Sequence, residues 1–99
     1  MHKSYYVYIL LCSNKTYYTG VTNNLEKRLI EHNDGIHPES YTFSRRPVAL
    51  KFHERYSDIN LAIVWEKKLK KWSKKKKEAL INGNYQLLPD LAKKTNWNK

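Results

Sequence analysis

The stretch YYVYILLCSNKTYYTG, residues 5–20, decides the fold. Its first half, Tyr5 to Cys12, alternates loosely and is rich in Tyr, Val, Ile and Leu, which suits a β-strand. Ser13-Asn14-Lys15 is a polar turn, and residues 16–20 read as a second strand ending at Gly20. Strand, short turn and strand make a hairpin. Two triplets mark it, Tyr6-Val7-Tyr8 and Tyr18-Thr19-Gly20. Paired strands lie about 5 Å apart, so the Tyr8 and Tyr18 phenols can reach one cleft. Taken alone, the two phenols read as cross-strand aromatic packing.

Working outward, residues 23–33 read as a helix, with Asn23 as cap and Glu26 as its capping-box partner. Leu25 and Leu29 mark its buried stripe, with Ile30 at the edge, and Asn33-Asp34-Gly35 ends it. Residues 34–47 lack periodicity and form a loop of functional length. Val48, Leu50, Phe52, Glu54 and Tyr56 alternate as a third strand over 48–56. Ser57 or Asp58 caps a second helix whose apolar positions are Leu61, Trp65, Leu69 and Trp72. Ser73 restarts the helix through Ala79, Leu80 and Ile81, and Asn82-Gly83 stops it. Residues 85–94 are expected to form a last short helix weakened by Pro89, followed by a frayed tail. The order is β-β-α-β-α-α, an α/β fold with a small three-stranded sheet, hairpin plus one strand, flanked by helices. One domain is expected over residues 1–99, with its core at about 5–82 and a C-terminal helical tail at 83–99.

Hydrophobic content of 40% fits a globular chain and excludes a disordered one. Cys12 is the single cysteine, so no intramolecular disulfide can form, which fits a reducing compartment. The apolar run from Tyr5 to Cys12 is too short to span a membrane and has no signal-peptide cleavage site, so a cytoplasmic location is expected. The net charge is +10 and unevenly placed. Lys67–Lys77 alone holds eight lysines in eleven residues. Such an excess attracts polyanions, and nucleic acid is the leading partner.

Arg28 and His32 stand four apart and project from one side of the first helix. A guanidinium fork suits a phosphate, and an imidazole can orient a neighbour or relay a proton. The plainer alternative is a solvated charged face. Glu66 is the only acid between Asp58 and Glu78. A carboxylate amid cations suits a divalent ion that also touches phosphate, yet Glu66 can equally pair with Lys70 one turn on. One carboxylate cannot build a two-metal site, so a bound ion would be a single Mg²⁺ or Mn²⁺ keeping several waters. A phenol ordinarily titrates near about 10, so Tyr8 or Tyr18 needs an adjacent cation to act as a base. Of the lysine run, Lys67, Lys70, Lys71 and Lys74 are candidate phosphate contacts, with Arg45 and Arg46 adding to them.

Together these pieces resemble the GIY-YIG nuclease family. The match runs from Tyr6-Val7-Tyr8 through Tyr18-Thr19-Gly20, Thr22-Asn23-Asn24-Leu25 and Arg28-Leu29-Ile30-Glu31-His32-Asn33 to Glu66. It is most similar to the small single-domain UPF0213-like group, which the Tyr41…Arg45-Arg46-Pro47-Val48 stretch and the Glu66…Lys70 helix support. The resemblance implies a single metal ion on Glu66 and Tyr8 as general base, assisted by Tyr18 and His32. It implies that Arg28 binds the scissile phosphate and that Gly20 lets the backbone turn closely beside the cleft. The expected function is metal-dependent hydrolysis of phosphodiester bonds, in structure-selective DNA processing or repair. The alternatives are a nucleic-acid-binding module with little turnover, and a basic scaffold docking on ribonucleoprotein. Two departures stand out. Tyr6 and Val7 replace the family name's Gly and Ile, and the asparagine expected after the metal glutamate has no aligned counterpart, Asn82 being the nearest.

Overall fold

The computed structural model describes residues 3–88. Strands β1 (Tyr5–Leu11) and β2 (Tyr17–Thr22) are followed by α1 (Leu25–Asp34), β3 (Ala49–Tyr56), α2 (Ile59–Lys70) and α3 (Lys74–Ile81). Short 3-10 turns occupy Phe43–Arg45 and Tyr85–Leu87. The β-β-α-β-α-α order is as expected. Of the last predicted helix only the turn at Tyr85–Leu87 is seen, and residues 89–94 lie outside the described residues.

The sheet has the order β2-β1-β3 and both pairings are antiparallel. β1 is therefore central, which is why Val7, Tyr8, Ile9 and Leu10 are all buried rather than alternately so. Successive side chains go to opposite faces. Val7 and Ile9 pack with Ala62, Trp65 and Leu69 of α2 and Leu80 of α3. Tyr8 and Leu10, with Cys12 just past the strand, pack with Val48 and with Leu25 and Leu29 of α1. The sheet is a middle layer with one helix on one face and two on the other.

Residues 48–56 depart from simple alternation for a visible reason. Ile9 pairs with Phe52, but Leu10 pairs with Leu50, so β3 carries one extra residue, a bulge at Lys51. Leu50 consequently packs on the Tyr8 face and Phe52 on the Val7 face, although they are two apart. Three other expectations are corrected. Asn24, not Asn23, caps α1, its side chain accepting the Lys27 backbone N–H at 3.0 Å. The buried stripe of α2 starts at Ala62, and Leu61 is exposed, because a 3.6-residue turn places Ala62, Trp65, Glu66 and Leu69 on one side. Gly20 lies inside β2, two residues before its end.

The lysine run is divided. α2 stops at Lys70, and Ser73 caps α3 by accepting the Lys76 N–H at 3.2 Å. Lys77 is buried on α3, and burial lowers its pKa.

Candidate active site

Tyr8 leaves β1 on the α1 side and is almost wholly buried. It stands directly opposite Gly20 in the hairpin register. A Cβ at Gly20 would overlap the Tyr8 ring and hydroxyl. The missing side chain thus gives the phenol a path across β2, the edge strand, toward the rim of the sheet. The left-handed glycines of the described residues are Gly35 and Gly83. The backbone turn expected at Gly20 is therefore corrected: its role is steric, and its backbone stays in the strand.

α1 brings two side chains to the phenol. Asn24 starts the helix, Leu25 and Leu29 seat it against Tyr8 and Leu10, and Gly35 ends it in the left-handed conformation with φ of 66°. That seating turns Arg28 and His32 toward the hairpin. The Tyr8 hydroxyl lies 3.0 Å from His32 Nε2. The Arg28 charge acts on the same phenol, lowering its pKa, and Arg28 Nε donates to Glu31 Oε1 at 3.2 Å. His32 is buried, and burial lowers its pKa, with the Arg28 charge acting in the same direction. The imidazole is therefore neutral at physiological pH. Burial, followed by the neighbouring Tyr18, pushes the Tyr8 phenol up to about 12 although Arg28 pulls it down. Tyr8 at rest is a protonated phenol, with a neutral imidazole beside it.

Glu66 comes from the other layer. It is buried on the inward side of α2, and its charge is felt at Tyr8, where it opposes phenol ionisation. α2 packs on β1 and β2, so a long side chain can pass the edge strand to the rim where Tyr8 emerges. Lys70 Nζ lies 2.8 Å from Glu66 Oε2, the one-turn pair anticipated from the sequence. The bond to Glu66 raises the Lys70 pKa, and Tyr18 adds to it. Of the two sequence readings of Glu66, the ion pair with Lys70 is seen.

Tyr18 completes the group, its ring centroid 5.2 Å from that of His32 and 6.3 Å from that of Tyr8. Tyr41 stacks on Tyr18 at 6.1 Å, and the Arg45 guanidinium covers Tyr41 at 3.8 Å. Arg45 thus extends the cluster outward. Arg46 instead ties its own loop together, donating to the Phe43 carbonyl at 2.7 Å and lying over the Phe43 ring. Lys67, Lys71 and Lys74 are exposed around the junction of α2 and α3. Tyr6 turns away from the cluster: it meets His53 edge-on and lines a groove of about 560 Å³ with Asn24, Leu25 and Leu50. Asn82 is the C-cap of α3.

Two contacts beside the site were not anticipated from the sequence. Asn33 holds the start of β3 like a strand partner, accepting from Val48 N at 2.8 Å and donating to Val48 O at 3.1 Å. Thr42 is buried, with its Oγ1 2.7 Å from His32 Nδ1. Both lie in or beside an aperiodic stretch, where no pattern separates a functional polar side chain from a solvated one.

An imidazole and two phenols therefore meet on one face of the sheet, with a guanidinium from the same helix and a carboxylate from the other layer in electrostatic reach. The sequence profile of the GIY-YIG catalytic domain matches residues 4–79. The chain belongs to the GIY-YIG catalytic domain family. A UPF0213 protein of Syntrophus aciditrophicus is 49% identical over 79 residues, covering 80% of this chain and 91% of that protein. The solution structure of the protein EF2693 from E. faecalis is 34% identical with a TM-score of 0.59, covering 87% of this chain and 93% of that one. The UPF0213 protein BH0048 from Bacillus halodurans is also 34% identical, with a TM-score of 0.52 and coverage of 80% and 83%. Against the GIY-YIG pattern the altered triplet can now be placed. Tyr6, standing where the family name has glycine, faces the groove by His53, while Tyr8 keeps the position over Gly20.

Proposed function

We propose that this protein is an endonuclease that uses a single divalent ion to hydrolyse phosphodiester bonds in nucleic acid. The observation that carries this is the Tyr8 hydroxyl, held 3.0 Å from His32 Nε2 within the electrostatic reach of Arg28 and Glu66. Arg28 is half-exposed, so its guanidinium can grip the scissile phosphate and stabilise the charge that develops there. Tyr8 takes the proton of the attacking water, and neutral His32 is placed to receive the proton Tyr8 already carries. Tyr18 packs against both rings and keeps them aligned.

Glu66 fits a Mg²⁺ or Mn²⁺ ion. Its carboxylate is buried with Lys70 on Oε2, its charge is felt at Tyr8, and no cluster of three or more metal-binding side chains exists among the described residues. That donor set suits a hard ion retaining most of its waters and sharing the substrate phosphate. Such an ion would supply charge neutralisation at the phosphate and a more acidic water.

The substrate is nucleic acid, with DNA favoured over RNA, cut at flaps, nicks, ends or single strands in DNA processing or repair. Arg45 adjoins the cluster, and Lys67, Lys70, Lys71 and Lys74 extend the positive surface from it, with Arg46 least available. Replacing Lys67, Lys71 and Lys74 should weaken binding broadly and flatten its salt slope by about 2–3. Arg28→Ala should leave most binding intact and abolish turnover.

The deciding experiment is incubation with branched, flapped and single-stranded DNA and RNA in Mg²⁺, Mn²⁺ or EDTA. Cleavage with metal that disappears in EDTA and in Glu66→Gln supports the proposal. One observation favours a second reading, a binding module without turnover: the Lys70 ammonium already holds one oxygen of Glu66. Binding without products under every condition would establish it.

A further inference from the structure

The loop between α1 and β3 holds two hydroxyls behind the imidazole. Thr42 is 1% exposed, less than any other polar residue in the buried set. Its Oγ1 lies 2.7 Å from His32 Nδ1 and 3.0 Å from Ser40 Oγ, and its backbone N–H donates to that Ser40 oxygen at 3.3 Å. His32 is thus bracketed, with Tyr8 on Nε2 and Thr42 on Nδ1. A neutral imidazole has one donor and one acceptor nitrogen, so two proton arrangements compete.

The surroundings choose between them. The Arg28 guanidinium near Tyr8 carries only donors, so it cannot take the phenol proton. The buried phenol proton then needs an acceptor, and Nε2 stands 3.0 Å away. With Nε2 accepting, Nδ1 carries the hydrogen and donates to Thr42 Oγ1. Thr42 in turn gives its own hydrogen to Ser40 Oγ. Every bond then runs one way, from Tyr8 through His32 and Thr42 to Ser40, and neither buried hydroxyl of this chain, Tyr8 or Thr42, is left without a partner. The opposite tautomer would aim Nε2–H at the phenol oxygen and leave the buried phenol proton without His32 as its acceptor.

We propose that Thr42, backed by Ser40, is a positioning residue that fixes His32 in its Nδ1–H tautomer, so that Nε2 is free to take the Tyr8 proton. This rests on the nuclease reading of the site only for its consequence. As water oxygen bonds to phosphorus, its proton passes to the Tyr8 oxygen and the original Tyr8 proton moves to Nε2. The bond to the leaving oxygen breaks with its electron pair. The resulting imidazolium still donates from Nδ1 to Thr42, so nothing in the loop reorganises, and His32 later releases its extra proton to solvent.

The test is the long-range ¹H–¹⁵N spectrum of His32 in the full chain at neutral pH. Wild type should show a protonated Nδ1 and an unprotonated Nε2. Thr42→Val keeps the shape but removes the acceptor, and should shift the population toward Nε2–H. Ser40→Ala, in the more exposed part of the loop, should shift it the same way by freeing the Thr42 hydrogen to donate to Nδ1; it serves if Thr42→Val does not fold. Thr42→Ser should restore the wild-type pattern. Where cleavage is measurable, Thr42→Val should slow it by up to about 10²-fold and Thr42→Ser should not. An Nδ1–H tautomer unchanged in both Thr42→Val and Ser40→Ala overturns the proposal. The expected tautomer shifts in a wild-type protein that cleaves nothing would uphold the positioning role and remove the nuclease reading instead.

Discussion

The two faces of this small sheet are built by adjacent residues of one strand and differ in kind. On the face of Val7 and Ile9, α2 and α3 close an apolar core in which Leu69 and Leu80 are fully buried. On the face of Tyr8 and Leu10, α1 adds a hydrogen-bonded chain through His32 to Thr42 and Ser40. Two buried tyrosines make the contrast concrete. Tyr56, on the first face, has a hydroxyl with no hydrogen-bond partner among the described residues, and burial raises its pKa. Tyr8, on the second, is held by an imidazole. A buried phenol costs about the same to desolvate on either face, so only the second arrangement uses the hydroxyl. One face holds the strand in place, and the other makes use of being held.

The largest effect should come from the first face. Leu69→Ala should lower the unfolding free energy by about 2–5 kcal/mol, measured by denaturant titration, because the cavity sits between two layers. Activity per folded molecule should survive; its loss would mean that the faces are not separable. Gly20→Ala should cost about 1–3 kcal/mol through overlap with the Tyr8 ring, and should also disturb the Tyr8–His32 bond. A fully stable and unaltered Gly20→Ala protein would contradict the steric role of this glycine.

A smaller effect is expected in acid. Burial lowers the His32 pKa, so the folded state favours the neutral ring. The stability this contributes is fully present above the ordinary histidine value of about 6.5, and is lost as pH falls through the lower folded value. The melting temperature of wild type should therefore fall more steeply than that of His32→Gln between neutral and mildly acid pH. Parallel curves would place His32 in an unperturbed setting. Smallest of all, Tyr56→Phe should leave stability unchanged or raise it by up to about 1 kcal/mol, since the hydroxyl it removes has no partner. A marked loss would show that the apolar face also depends on a polar contact.

Much of this is legible in the sequence, for physical reasons. The hairpin, the helices and their order follow from apolar periodicity and from Ser73, Asn82-Gly83 and Gly35, whose local chemistry punctuates the chain. Tyr8, Tyr18, Arg28, His32 and Glu66 were visible as residues of the right type at ordered positions, and the fold brings them together. The bulge at Lys51 was not legible, because Leu50 and Phe52 look alike whichever face they take. Gly20 was legible as important but for the wrong cause: a glycine that clears a path for a ring across the strand looks the same in sequence as one that turns. Thr42 was invisible, because its significance lies in a contact between residues 32 and 42 that no periodicity encodes.

The central claim is that water activation belongs to the Tyr8 face, with Glu66 serving it from the other layer, and neighbouring residues test it most directly. Single-turnover cleavage should be measured for Tyr8→Phe and Val7→Ala, each normalised to its folded fraction. Tyr8→Phe should remain folded and cleave at least about 10²-fold more slowly, whereas Val7→Ala should be less stable yet cleave at the wild-type rate per folded molecule. Undiminished cleavage by Tyr8→Phe would contradict the account.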